Sequence, residues 1–166
     1  MRKNESVVAT MINGAIAGAV ATWVMGKVTT QLYEREDKSA REREDQARGG
    51  ETAYGVVAQK AAGAAGVTLS KEERQKAGEA IHWALGIGAG ATYAVLRRQF
   101  DAVGKAAGLG FGTGFWLIMD ELAVPLLGLT PGPRAFPWQT HARGWAGHLS
   151  FGLVTDTTLK VLDAVA

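Results

Sequence analysis

The chain has 166 residues, no cysteine and a formal net charge of only +2. These values exclude disulfides, thiolate catalysis and cysteine-ligated zinc, and they argue against nucleic-acid binding, which needs a concentrated basic surface. The mean hydropathy of 0.00 resembles that of a soluble protein. Charge is nevertheless strongly segregated, because 19 of the 34 charged side chains fall within residues 31–79.

Outside that segment, four apolar stretches are long enough to cross a bilayer as helices. They lie at about residues 7–30, 80–97, 106–129 and 143–163. The first includes 21 uncharged residues, which as a helix extend roughly 30 Å, the thickness of the hydrocarbon core. The sequence therefore predicts an all-α fold: a single-domain integral membrane four-helix bundle over residues 1–166. A soluble bundle is the alternative, but the first stretch lacks the polar stripe that soluble helices carry.

Residues 31–79 are predicted to lie outside the membrane, as a charged, solvent-exposed helix followed by a short interfacial helix. Acid-before-base pairs four residues apart, such as Glu44 with Arg48, stabilise a solvated helix over residues 31–48. Ser70 and Glu73 form a capping-box pattern that starts the helix of the second span. The basic side chains of the charged helix are suited to docking a protein partner; they are Arg35, Lys38, Arg41, Arg43 and Arg48.

Small residues recur four positions apart in the spans. The pairs that we single out for helix packing are Gly14 with Gly18, Gly86 with Gly90, and Gly108 with Gly112. Lipid gives no hydrophobic drive for helix association, so helices gain instead by close backbone contact at small residues. Either a homo-oligomer face or internal packing of one bundle explains the pattern. Internal packing is favoured, because small residues occur in every span.

Five ionisable residues fall at one depth, in the half of the bilayer next to residues 31–79 and 130–143, which we call the loop face. His82 begins the second span, Asp120 and Glu121 lie near the end of the third, and His141 and His148 lie at the start of the fourth. A carboxylate at a helix centre costs roughly 2.5–3.5 kcal/mol on insertion scales, so these acids need a partner, water or a proton. Because adjacent residues of an α-helix point about 100° apart, the two acids are not expected to share one ligand.

Three interpretations of this cluster remain open. The imidazoles and carboxylates either hydrogen-bond one another in a purely structural role, handle protons or small cations, or hold a metal ion or haem. No cofactor is identified from the sequence. No nucleophile–base pair is apparent either, so an enzymatic reaction is disfavoured.

Four motifs in the second half of the chain resemble those of one known family. They are HWALGIG (His82 to Gly88), DELAVPLLGL (Asp120 to Leu129), PWQTH (Pro137 to His141) and GHLSFG (Gly147 to Gly152). This half resembles the YagU-like family of bacterial inner-membrane proteins. The resemblance implies a multi-pass protein of the bacterial inner membrane, in contact with lipid, whose biochemical activity is not established.

The distribution of positive charge predicts the orientation. Eleven Lys and Arg residues lie on the loop face and five on the opposite face, which carries both termini and which we call the terminal face. Under the positive-inside rule, residues 31–79 are cytoplasmic. The expected function is a non-enzymatic accessory, structural or assembly role that docks a partner through residues 31–48. The alternative is a small proton- or cation-handling, or metal-binding, membrane protein that uses the His/Asp/Glu cluster.

Overall fold

The computed structural model describes residues 6–165 and shows an all-helical chain over that range, as predicted. Its α-helices, in chain order, are α1 (Val7–Arg35), α2 (Lys38–Arg48), α3 (Ala53–Ala64), α4 (Lys71–Gln99), α5 (Leu109–Trp116), α6 (Val124–Leu126) and α7 (Trp138–Val165). A π-helical segment, Leu117–Ala123, joins α5 to α6 in one continuous helix. The predicted capping box at Ser70 and Glu73 does begin α4.

The long helices alternate in direction and pack side by side. α1 lies between α4 and α7, α5 packs on the other side of α7, and α3 packs on α4. α4 also meets α5 through the rings of Tyr93 and Phe111, and Lys60 of α3 donates to the Leu127 carbonyl oxygen after α6. A small core of Ala17, Tyr93, Ala94 and Leu159 joins α1, α4 and α7 near the terminal face.

Glycines bring α1 and α4 into backbone contact. A Cβ atom built on Gly14 would lie 2.7 Å from the Gly90 carbonyl oxygen, and one on Gly18 would lie 2.5 Å from the Gly86 carbonyl oxygen. All four of these glycines are buried. No larger residue fits at these positions without separating the helices, which is how small residues act in membrane bundles.

The same arrangement joins α5 to α7. A Cβ atom on Gly112 would lie 2.2 Å from the His148 carbonyl oxygen, and one on Gly108 would lie 2.3 Å from the Gly152 carbonyl oxygen. The predicted packing glycines therefore lie inside one chain, in two separate helix–helix contacts.

The third predicted span begins differently from the sequence expectation. Ala106 and Ala107 both have φ 52°, and Gly108 has φ 80°. This left-handed turn keeps the regular helix from starting before Leu109, three residues later than the predicted start at residue 106. It places Gly108 against Gly152 of α7.

Large apolar side chains lie mainly on the outside of this protein, whereas in soluble proteins they lie mainly in the core. The buried apolar residues are mostly alanines, whereas many large ones are exposed, such as Ile12 of α1 at 55% and Ile118 after α5 at 59%. Contiguous exposed apolar surface of this kind marks contact with a membrane or a partner.

Four membrane spans were predicted from the sequence. Within residues 6–165, two helices are long and apolar enough to cross a membrane: α1, and the helix from Lys105 to Leu126. α4 and α7 are long enough, but they do not reach the same mean hydropathy.

The charged segment 31–48 is not one continuous solvated helix. α1 ends at Arg35, Glu36 is extended, and α2 begins at Lys38. One side of α2 faces the protein, since Ala40 is fully buried and Glu44 is only 4% exposed. The prediction of a fully solvated helix is therefore wrong for this inner side, because Glu44 accepts hydrogen bonds from α7.

Candidate functional site: a cavity at the loop face

All five ionisable residues predicted at one depth line a single cavity of about 330 Å³. α3, α4, the α5–α6 helix, α7 and the loop before α7 form its walls. The five residues come from three different helices: His82 from α4, Asp120 and Glu121 from the π-helical segment, and His141 and His148 from α7.

The π-helical segment is the reason that both acids reach the cavity. Its backbone bonds run from residue i to i+5, as in the bond from the Val124 N–H to the Met119 carbonyl. Successive side chains then diverge less than on an α-helix. Pro125 follows directly and has no N–H to restore regular winding. The two acids still pair with different histidines, Glu121 with His141 and Asp120 with His148, in line with the expectation that they do not share one ligand.

Glu121 and His141 form a close pair. The Nδ1 atom of His141 lies 2.6 Å from Oε1 of Glu121, and its Nε2 atom lies 3.0 Å from the Pro133 carbonyl oxygen. A carbonyl oxygen only accepts, so Nε2 carries a hydrogen. The short contact at Nδ1 then requires a second proton, on the imidazole or on the carboxyl. The ring and the carboxyl therefore share a proton between them.

His148 and Asp120 form a looser pair one helical level deeper. Nδ1 of His148 donates to the Gly144 carbonyl oxygen at 2.9 Å and lies 3.7 Å from Oδ2 of Asp120. His148 is therefore a charged neighbour of Asp120 but not a hydrogen-bond donor to it. Trp116, four residues earlier, has a buried Nε1 atom with no hydrogen-bond acceptor within the described part of the chain.

Aromatic rings complete the wall on the α3 side. The Tyr54 ring lies 5.0 Å from the His82 ring, centroid to centroid. Burial, together with the negative charge of Asp120, raises the pKa of Tyr54 to about 12. The Tyr54 hydroxyl therefore stays protonated, as a neutral group at the cavity wall.

Charged residues from α1, α2 and α7 form the rim. Arg143 donates to Glu36 and, at 2.5 Å, to Glu44, which also pairs with Arg48 at 2.8 Å and accepts from Thr140 at 2.9 Å. Burial tends to raise the pKa of Glu44, but hydrogen bonds and charge from Arg143 and Arg48 outweigh it and lower the pKa below its ordinary value. Glu44 is therefore ionised near neutral pH.

The rim changes the interpretation of the predicted docking residues. Arg48 is half-buried against Glu44 and lies 5.4 Å from the Phe136 ring, and Arg41 is half-buried 5.7 Å from the Tyr33 ring. The exposed members of the set are Arg35, Lys38 and Arg43.

One comparison with known proteins identifies the family of this chain. The model of a family described as "Protein of unknown function (DUF1440)" matches residues 52–157. The chain belongs to the DUF1440 family. No curated protein and no solved structure matches it. The DUF1440 match includes all five ionisable residues of the cavity and Arg143, whereas α1 and α2 lie outside it.

A second charged cluster of this DUF1440 member lies at the terminal face. Asp156 is fully buried and contacts the Tyr93 hydroxyl at 2.8 Å, Arg97 at 3.3 Å and Lys160 at 2.7 Å. Lys160 lies four residues from Asp156 on the same helix, whereas Tyr93 and Arg97 come from α4 and were not predicted. Their separation from Asp156 by 63 and 59 residues leaves no local pattern.

Aromatic rings separate the cavity from this second cluster. Phe115 contacts the His148 ring edge-on at a centroid distance of 5.2 Å and also contacts Phe151 at 5.8 Å. Phe111 links Phe115 to Tyr93. An apolar layer therefore closes the inner end of the cavity.

The metal interpretation of the cavity lacks a ligand set. Over residues 6–165, no group of three or more His, Cys, Asp or Glu side chains is arranged to hold a metal ion. The cavity instead presents two separate His–carboxyl pairs.

Proposed function

We propose that this DUF1440 member is a multi-pass protein of the bacterial inner membrane that admits protons or small cations to its loop-face cavity. The observation that carries the proposal is the convergence of His82, His141, His148, Asp120 and Glu121 on one cavity. Ionisable residues that face a cavity within a membrane bundle are typical of proton and cation pathways.

The packing of the helices supports the membrane placement. The contacts between α1 and α4 and between α5 and α7 are built on glycine, and the large apolar side chains point outward. In this proposal, α4 and α7 cross the bilayer as members of the bundle, with their charged residues in the two end clusters. The resemblance to YagU-like proteins supports the inner membrane, and the excess of positive charge on the loop face supports its cytoplasmic orientation.

The two His–carboxyl pairs suggest a route for a proton. A proton enters from the loop face and is held between Glu121 and His141, which lie 2.6 Å apart. The next acceptor is the pair of Asp120 and His148, deeper in the same cavity. Passage beyond this pair requires the layer of Phe115 and Phe151 to move.

Proton flux into liposomes tests the proposal. Purified protein is reconstituted with an internal pH-sensitive dye, and a potassium gradient with valinomycin supplies the voltage. We expect flux above that of empty liposomes, with a loss of at least tenfold in the Glu121→Gln and His148→Ala variants. Asp101→Asn, at the terminal face, is the control and should conduct like the wild type. Absence of flux, or wild-type flux in both cavity variants, would reject the proposal.

An accessory role is a second candidate, and the exposed basic side of α2 favours it. Arg35, Lys38 and Arg43 are exposed, whereas the opposite side of α2 is held by Arg143. A partner with an acidic surface suits such a patch. Replacing all three residues by Gln should abolish co-purification of the partner without affecting proton flux. An unchanged set of co-purified proteins would exclude docking through α2.

A further inference from the structure

Two polar atoms of the cavity wall lie close together beside Gly144. A Cβ atom built on Gly144 would lie 3.2 Å from Nε1 of Trp116 and 3.4 Å from Oδ2 of Asp120. The indole N–H has no acceptor within residues 6–165, and the nearest charged neighbour of the carboxylate, Nδ1 of His148, lies 3.7 Å from Oδ2. A buried donor without an acceptor is unfavourable. A ligand in the cavity that offers both an acceptor and a donor beside Gly144 would satisfy both atoms.

The balance of charge identifies the ligand's donor as a cation. Arg48 and Arg143 also line the cavity, but each is held by an acidic residue of the rim, and Glu121 is held by His141. Asp120 is the lining carboxylate with the loosest pairing, since Nδ1 of His148 lies 3.7 Å from it and donates to Gly144 instead. Its side chain keeps 38% of its surface accessible.

The size and the walls of the cavity favour an organic cation over a bare metal ion. Its volume of about 330 Å³ falls in the range of small-molecule sites, which begins near 300 Å³. Tyr54, Trp116 and Phe136 supply aromatic walls, and ring faces attract ammonium groups.

Resting on the proposed function, we infer that the cation admitted to this cavity is a small primary ammonium that also carries a hydroxyl group, as in 2-aminoethanol. The ammonium group pairs with Asp120, and the hydroxyl oxygen accepts from Nε1 of Trp116. Gly144 keeps a Cβ atom from crowding these two groups. The same chemistry occurs in a free amino alcohol and in the ethanolamine headgroup of a phospholipid.

Titration calorimetry on delipidated protein in detergent tests the inference with 2-aminoethanol at pH 7. We expect binding to the wild type, a loss of at least tenfold in affinity for Asp120→Asn and Gly144→Ala, and a smaller loss for Trp116→Phe. The matched controls are Gly114→Ala, where an added Cβ meets nothing within 4 Å, and Asp101→Asn. Both controls should bind like the wild type, and 1,2-ethanediol, which lacks the charge, should not bind.

A second arm distinguishes the two sources of the ligand. Native mass spectrometry on protein purified in mild detergent should show a phosphatidylethanolamine that is retained by the wild type and lost from Gly144→Ala if the headgroup is the occupant. Retention of no such lipid, together with binding of free 2-aminoethanol, would assign the free amine.

The inference and the flux proposal fail separately. No binding of 2-aminoethanol or phosphatidylethanolamine by the wild type, or equal binding by Gly144→Ala and Gly114→Ala, would overturn the inference even if proton flux is observed. Binding that depends on Asp120 and Gly144 without any flux would keep the ammonium site and reject transport. Each variant is first checked for a single peak in size-exclusion chromatography, and Trp116→Phe serves if Asp120→Asn does not fold.

Discussion

Glu44 of α2 accepts a hydrogen bond from Arg143 of α7 at 2.5 Å, across 99 residues of sequence. The same carboxylate accepts from Thr140 at 2.9 Å. α2 makes few backbone contacts with the rest of the protein, so these side-chain bonds hold it in place. Since Arg143 and Thr140 also line the cavity, α2 and the cavity rim are mechanically joined.

Replacing Glu44 by Gln should lower the stability of the folded protein by about 2 kcal/mol, because it removes charge-assisted hydrogen bonds to two arginines. For a chain of this length this corresponds to a fall of about 4–8 °C in Tm. Thermal unfolding followed by circular dichroism in detergent measures it. Glu42→Gln, an exposed residue of the same helix, is the control and should change Tm by less than about 2 °C.

The Glu44 effect should also depend on pH. The pKa of Glu44 is lowered in the folded protein from its ordinary value of 4.5. Its stabilisation is therefore fully present well above pH 4.5 and is lost as pH falls through the folded pKa. The difference in Tm between wild type and Glu44→Gln should shrink as pH is lowered from 7 towards 3. A constant difference over this range would contradict the assignment.

Two glycines of α4 provide a matched test of helix packing. A Cβ atom on Gly90 would lie 2.4 Å from the Gly14 carbonyl oxygen, whereas one on Gly88 meets nothing within 4 Å. Gly90→Ala should destabilise the protein by about 1–3 kcal/mol through overpacking. Gly88→Ala should be neutral or stabilising by up to about 1 kcal/mol, since alanine favours the helix. Equal Tm values for the two variants would show that α1 and α4 do not pack as described.

The left-handed turn before α5 should gain stability from added glycine. Ala106 has φ 52°, a conformation that costs an L-residue about 1–2 kcal/mol. Ala106→Gly removes this strain from the folded protein. Glycine also gives the unfolded chain more conformational freedom, which offsets about half of the stabilisation. We expect Tm to rise by about 1–4 °C. Ala61→Gly, in the regular helix α3, should instead lower Tm, and a fall in both variants would argue against the turn.

The aromatic layer at the inner end of the cavity should limit proton flux. Phe115 lies between His148 and Phe151, and removing its ring opens a route for water towards Asp156. Phe115→Ala should therefore increase flux several-fold in the liposome assay. Phe100→Ala, an exposed residue near the terminal face, should leave flux unchanged. Flux that is the same in wild type and Phe115→Ala would place the barrier elsewhere.

The common depth of the five cavity residues could be predicted because it depends only on the number of residues along each helix. Helices of similar length that alternate in direction bring the start of one next to the end of another, so His82 and Glu121 fall at the same level without any knowledge of side-chain contacts. The end of one helix at Gly49 and the start of another after Ser70 were equally legible, because caps are local patterns.

The features that escaped prediction depend on distant contacts or on unfavourable local conformations. The pairing of Glu44 with Arg143 joins residues that share no local pattern. Ala106 and Ala107 favour a regular helix by propensity, yet both adopt positive φ where Gly108 meets Gly152. The unpartnered N–H of Trp116 also escaped prediction, because a missing acceptor cannot be read from composition or spacing.

The π-helical segment at Leu117–Ala123 has an evolutionary consequence. Such a turn holds one residue more than an α-turn between its bonded groups. Removing a single codon here would restore ordinary winding and rotate Asp120 and Glu121 relative to α7, while leaving the contact between Gly112 and α7 in place. Homologues that lack one residue in this segment should thus retain the helix packing but lose the paired acids of the cavity.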